Sequence, residues 1–177
     1  MNWEFDILYF LQGIHNTVLN KIMVIVSTMG NAGLFWIILA CVLLISKQTR
    51  KCGIQMIVAM LIALIIGNGI IKNSVQRMRP CWIDESVKLL IKNPKDFSFP
   101  SGHSLNGIVA AVTIYCNNKK YGIIAIIFAL IIAFSRLYNF VHFPTDVLCG
   151  LLLGTIIAIM TNEYFETSKK NPFKKLY

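Results

Sequence analysis

Formal charge is missing from five long stretches of this chain: Ile22 to Ser46, Cys52 to Ile71, Phe97 to Asn118, Tyr121 to Ser135 and Val147 to Asn162. Where water is absent, a backbone must satisfy its own hydrogen bonds, and helices do this within a single segment. Stretches of this kind therefore predict helices in a bilayer, where a span needs roughly 20 mainly apolar residues. Composition agrees. Of 177 residues, 56% are hydrophobic and only 14% charged, against roughly 45–50% and about 25% in a soluble domain. The predicted spans are His15–Met29, Gly33–Ser46, Cys52–Ser74, His103–Cys116, Tyr121–Tyr138 and Pro144–Phe165. Gly30-Asn31-Ala32-Gly33 divides the first uncharged stretch and predicts a hairpin between two helices. Residues 1–14 mix aromatic and acidic side chains and read as a short interfacial helix. They lack the basic start and small-residue cleavage site of a signal peptide, so they are expected in the mature protein. The expected fold is all-α: a polytopic membrane bundle of six transmembrane helices with a short N-terminal interfacial helix, one domain over residues 1–177.

Basic residues in short loops orient such a bundle. With both ends inside, the inner segments carry Lys47, Arg50 and Lys51, then Lys119 and Lys120, then Lys169, Lys170, Lys174 and Lys175. The outer segment from Lys72 to Gly102 runs against the rule, with Lys72, Arg77, Arg79, Lys88, Lys92 and Lys95. The net charge of +9 then reads as topology plus an anion site. A nucleic-acid partner is not expected, because no soluble basic domain carries the charge. The cysteines, at positions 41, 52, 81, 116 and 149, are odd in number and scattered. They predict neither a disulfide framework nor a zinc site.

Against this apolar background stand three polar motifs: Lys72-x6-Arg79-Pro80, Pro100-Ser101-Gly102-His103, and Ser135-Arg136-x5-His142-x3-Asp146. Ionisable groups in a membrane are expensive and mark functional sites. The predicted topology puts all three motifs on one face. Lys72, Arg79 and Arg136 supply donors for phosphate oxygens, although each alone also suits a snorkelling helix end. Ser101 is a candidate N-cap, and Gly102 lets a ligand approach a helix N-terminus, a natural anion site. Asp146, four residues after His142, is placed to accept a proton from one ring nitrogen and leave the other as a nucleophile. A metal triad of His103, His142 and Asp146 is a competing reading, opposed by the repulsion of three nearby cations.

In order and spacing these motifs resemble the signature of the type 2 phosphatidic acid phosphatase (PAP2) superfamily, and the span layout extends the resemblance over most of the chain. The resemblance implies that His142 attacks phosphorus to form a phosphohistidine, and that Asp146 orients His142. It implies that His103 protonates the leaving oxygen and then activates water. Lys72, Arg79, Ser101, Gly102 and Arg136 would hold the phosphate, with no metal or other cofactor. The implied substrate is a lipid phosphate or diphosphate, most of all undecaprenyl diphosphate, met at the extracytoplasmic face of a bacterial inner membrane. Alternatives are a phosphatidylglycerophosphate or phosphatidate phosphatase and a lipid phosphotransferase using the same intermediate. The loop from Cys81 to Phe99 is expected to act as a lid or headgroup selector.

Overall fold

The structure, a computed structural model, describes residues 2–168. Among these residues every regular element is helical. α1 (Asn2–Gly13) leads through a short turn to α2 (Thr17–Met29), whose first N–H groups are capped by Asn16. A 3₁₀ turn (Asn31–Gly33) joins α2 to α3 (Leu34–Ile45). α4 (Arg50–Ala63) passes into a π-helical segment (Leu64–Ile71) and α5 (Lys72–Val75). α6 (Pro80–Ile83) opens the long loop, and α7 (Gly102–Asn117), α8 (Lys119–Tyr138) and α9 (Pro144–Thr167) complete the described chain.

Arg50–Ile83, Lys119–Tyr138 and Pro144–Thr167 are each long and apolar enough to cross a bilayer. Large side chains such as Ile65, Ile124 and Leu152 point outward on these segments, as lipid-facing residues do. The chain is a multi-pass membrane protein. At its centre lies α7, packed against α4, α8 and α9. Small residues make the close approach possible. A Cβ on Gly122 of α8 would fall 2.1 Å from the Tyr115 Cα, and one on Gly154 of α9 would fall 2.8 Å from the Leu105 carbonyl.

The expected hairpin at Gly30–Gly33 is instead a kink. Ala32 (φ 52) and Gly33 (φ 67) take left-handed conformations, and the axes on either side differ by 46°. α2 and α3 continue in one direction, antiparallel to α8. Tyr138 Oη donates to Asn20 Oδ1 at 2.6 Å, Gly30 abuts Ile132, and Phe35 meets Phe128 edge-on at 5.1 Å. Neither half alone is long enough to span, but together they are. Where two of the six spans were expected, the two halves form one bent pair. The two ends of the described chain lie at opposite ends of the bundle, where both chain ends were expected on one side. Glu4 of α1 sits among the polar motifs, bonded to Arg77 and Thr145. Glu166 at the end of α9 pairs with Lys51 at the opposite end of the bundle. There Gln48, Thr49, Asn117 and Asn118 share one cleft. Lys169, Lys170, Lys174 and Lys175 lie outside the described residues.

Candidate active site

At the end of the bundle away from that cleft, α5, the long loop, α7 and the α8–α9 turn enclose a cavity of about 790 Å³. Lys72, Arg79, Gly102, His103, Arg136 and His142 all line it. Residues of three separate motifs thus line one cavity. Burial is deep: Lys72, Arg79, Arg136 and His142 are each at most 6% exposed.

His142 occupies the turn before α9. Its Nε2 lies 3.0 Å from Arg79 Nη1. A guanidinium only donates, so Nε2 keeps its lone pair and the ring proton is on Nδ1. The second nitrogen differs from expectation. Asp146 Oδ2 is 3.6 Å from Nδ1, too long for a direct hydrogen bond. Ser98 stands between them, with its Oγ 3.3 Å from Nδ1 and donating to Asp146 Oδ2 at 2.5 Å. The proton on Nδ1 therefore reaches Asp146 through a hydroxyl. Asp146 itself, fully buried, also accepts from the Phe143 N–H at 2.8 Å and from Arg77 Nη1 at 2.6 Å.

Sequence reasoning passed over Ser98 and Arg77. Arg77 also donates to Thr145 Oγ1 and to Glu4 Oε2, both at 2.6 Å, and lies over the Phe143 ring. Its guanidinium joins two buried carboxylates, and α1 is thereby tied to Asp146. The only hint in the sequence was a pair of acids, Glu4 and Asp6, in a largely apolar N-terminal helix.

The cations are not idle. Arg79 Nη2 and Lys72 Nζ hold the two oxygens of Asp96, at 2.8 and 2.5 Å. Arg79 Nε also donates to the Asp96 carbonyl at 2.7 Å. The long loop thus seats a carboxylate where two anion-binding cations point. Burial would raise the Asp96 pKa, but the hydrogen bond from Lys72 and the Arg79 charge outweigh it and hold it at about 2. Arg136 donates to Ser27 Oγ, while its buried Nε has no partner. Ser101 is the N-cap of α7: its hydroxyl accepts from the Ser104 N–H at 3.5 Å and from Ser104 Oγ at 2.9 Å. Gly102, next to it, lines the cavity.

His103, in the first turn of α7, has its Nε2 3.0 Å from Asn31 Oδ1. The α2–α3 kink brings Asn31 there, at a position the hairpin reading left in a polar outer turn. Gly30 is packed so closely that a Cβ would fall 2.6 Å from the His103 ring.

The arrangement can bind a tetrahedral anion among three cations and a helix N-terminus, and present one unprotonated imidazole nitrogen to it. An undecaprenyl-diphosphatase from Sulfolobus acidocaldarius is 36% identical over 159 residues, covering 89% of this chain and 75% of its own length. Undecaprenyl-diphosphatase BcrC of Bacillus subtilis is 32% identical over 146 residues, covering 82% and 75%. The crystal structure of a transmembrane PAP2-type phosphatidylglycerolphosphate phosphatase from Bacillus subtilis superposes with a TM-score of 0.78 at 25% identity, covering 96% of this chain and 87% of that one. The PAP2 superfamily pattern itself runs through residues 53–170. It takes in every lining cation and both histidines, and on that match the chain belongs to the PAP2 superfamily.

Proposed function

We propose that this protein is a membrane lipid phosphatase acting through a phosphohistidine, with undecaprenyl diphosphate as its substrate. One observation carries the reading: the hydrogen bond from Arg79 keeps His142 Nε2 unprotonated at the wall of a cavity lined by Lys72, Arg79 and Arg136. The terminal phosphate displaces Asp96 from Lys72 and Arg79. Its oxygens take the donors of those residues, of Arg136 and of the Gly102 N–H, which a helix leaves without an intrahelical partner. His142 attacks phosphorus. The growing positive charge on the ring is stabilised by the Asp146 carboxylate through the hydrogen bonds of Nδ1–H and Ser98. His103 gives a proton to the leaving oxygen, then takes one from the attacking water. The same donors stabilise charge on the equatorial oxygens in both steps. Ser101 contributes by fixing the start of α7.

The likeness of the solved Bacillus subtilis phosphatase supports phosphatidylglycerophosphate as the second reading of substrate, with the same chemistry. The bundle is read as crossing the membrane five times. α2 and α3 share one crossing, and α1 lies in the interface on the catalytic side. The basic segments around Lys47–Lys51 and Lys119–Lys120 face the cytoplasm. The catalytic cavity then opens outward, in the cell (inner) membrane of a bacterium. Phosphate release by purified protein from undecaprenyl diphosphate, phosphatidylglycerophosphate and phosphatidate, with and without EDTA, tests the assignment. Fastest release from undecaprenyl diphosphate, unaffected by EDTA, is the expected result. Release from no lipid phosphate overturns it.

A further inference from the structure

The cavity has two unlike walls. One carries charge, from Lys72 and Arg79 around His142, and Arg136, bonded to Ser27, stands near both histidines. The other, around His103, carries the carboxamides of Asn31, Asn68 and Asn106. They come from three elements: the kink, the π-helical segment and α7. Asn31 Oδ1 meets His103 Nε2 at 3.0 Å. Asn68 lies against the start of α7, its Oδ1 only 3.3 Å from where a Gly102 Cβ would be. Asn106 lies beside the kink, its Nδ2 3.4 Å from where a Gly33 Cβ would be. The Oδ1 atoms of Asn68 and Asn106 are buried without any hydrogen-bond partner. Buried polar groups are nearly always satisfied, and the exceptions call for an explanation. A ligand is one. Each carboxamide has two N–H donors and can turn about its last bond, so an anionic oxygen in the cavity can be met by N–H.

The position of these amides says which part of a ligand they meet. In-line displacement at phosphorus puts the leaving oxygen opposite the nucleophile. His142 stands on the charged wall, and His103, the proton donor to the leaving oxygen, stands within the amide wall. The departing group therefore departs into the amides. We infer that Asn68 and Asn106, with Asn31 steadying His103, form the subsite for the second phosphate of a lipid diphosphate, the one that leaves attached to the lipid. This rests on the phosphatase reading above. His142 Nε2 bonds to the terminal phosphorus and the bond from that phosphorus to the bridging oxygen breaks. The electron pair stays on the bridging oxygen, which takes the proton of His103, and a lipid monophosphate leaves. Water then attacks the phosphohistidine, gives its proton to His103 and releases orthophosphate. Neutral donors suit this subsite. They hold the inner phosphate without adding cations that would retain the product. A lipid monophosphate, whose leaving group is an alcohol, leaves the two amides unused.

The test uses the whole purified chain with farnesyl diphosphate and farnesyl monophosphate. Asn68→Leu and Asn106→Leu preserve side-chain size in an apolar setting. Each should lower the ratio of kcat/KM for diphosphate over monophosphate about 10- to 100-fold, the worth of a hydrogen bond to a charged group. Asn68→Ser and Asn106→Ser, which keep a polar group but shorten it, should lower the ratio in the same direction. Lys92 and Lys95 also line the cavity. If Lys92→Ala and Lys95→Ala collapse the ratio and the asparagine variants do not, the subsite belongs to the loop and the inference is wrong. Equal losses on both substrates in the asparagine variants overturn it as well. Inorganic pyrophosphate should raise the melting temperature of the wild-type protein more than orthophosphate does, and Asn68→Leu or Asn106→Leu should erase the difference. That measurement needs no turnover. A protein that hydrolyses neither farnesyl substrate yet still prefers pyrophosphate refutes the phosphatase reading and keeps the subsite, whereas equal shifts in the wild type refute the subsite.

Discussion

Arg79 has donors and no acceptor, so its contact with His142 Nε2 decides the tautomer of the ring and with it the direction of attack. His142→Ala should therefore abolish turnover and the acid-labile labelled protein expected of a trapped phosphohistidine. His103→Ala should slow turnover by about 10²–10⁴-fold, the usual contribution of a positioned acid or base. Ser98 gives a finer test, since its hydroxyl bridges His142 and Asp146. Ser98→Ala should lower kcat about 10- to 100-fold while KM moves little, because a hydrogen bond to a charged group is worth about 1.5–3 kcal/mol. An unchanged kcat would mean that Asp146 reaches the ring directly. Arg77 acts at one remove. Its side chain separates the buried carboxylates of Glu4 and Asp146, and removing one partner of a buried pair costs about 3–5 kcal/mol. Arg77→Leu should therefore lower the melting temperature as well as kcat.

The loop from Asp84 to Phe99 is an element without regular structure, yet it is firmly held. Trp82 Nε1 donates to Asn93 Oδ1 and to the Pro94 carbonyl, each at 3.1 Å, the Ser98 N–H bonds the Arg77 carbonyl at 2.8 Å, and Arg79 holds Asp96 and Phe97. Asp96 competes with phosphate for Lys72 and Arg79. Asp96→Asn removes that negative charge, so orthophosphate and vanadate should inhibit more strongly and KM should fall. Steady-state inhibition measures both, and weaker inhibition would show that Asp96 helps to build the anion site. The sign of the pH effect follows from its pKa of about 2. A depressed carboxylate pKa adds stability that is complete above the ordinary value near 3.8 and is lost as pH falls through about 2. Between pH 5 and 9 Asp96 stays ionised, so pH–rate profiles of the wild type and Asp96→Asn should have the same shape there and differ only in scale. None of this was legible in the sequence beyond the loop's length. A loop's path is set by long-range contacts such as those of Arg79 and Trp82, and no local pattern announces them.

At the scale of the molecule, helix positions were legible because charge-free stretches bounded by charged residues dictate them, and the cations and histidines of the site because charge in an apolar chain is conspicuous. Connectivity was less so. Gly30-Asn31-Ala32-Gly33 is chemically suited to a reversal, and only the packing of Gly30 on His103 and Ile132 makes it a kink. Ser98, Asn68 and Asn106 were invisible because uncharged polar residues have too many ordinary uses. The kink changes the topology, and that is open to measurement. Native cysteines are poor reporters, since Cys52 and Cys81 are both buried. Asp6, Lys47 and Lys88 are exposed, and cysteines placed there in a cysteine-free background should react with a membrane-impermeant maleimide where they face the outside. A hairpin at Gly30–Gly33 would set Asp6→Cys on the same side as Lys47→Cys and opposite Lys88→Cys. With α2 and α3 as one bent span, Asp6→Cys and Lys88→Cys should label together in intact cells, and Lys47→Cys only after permeabilisation. The contact of Glu4 with Arg77 and Thr145 demands this result, because α1 cannot both touch the catalytic turn and lie across the membrane from it. Labelling of Lys47→Cys alone in intact cells would keep the bent span and invert the whole molecule, turning the catalytic cavity toward the cytoplasm.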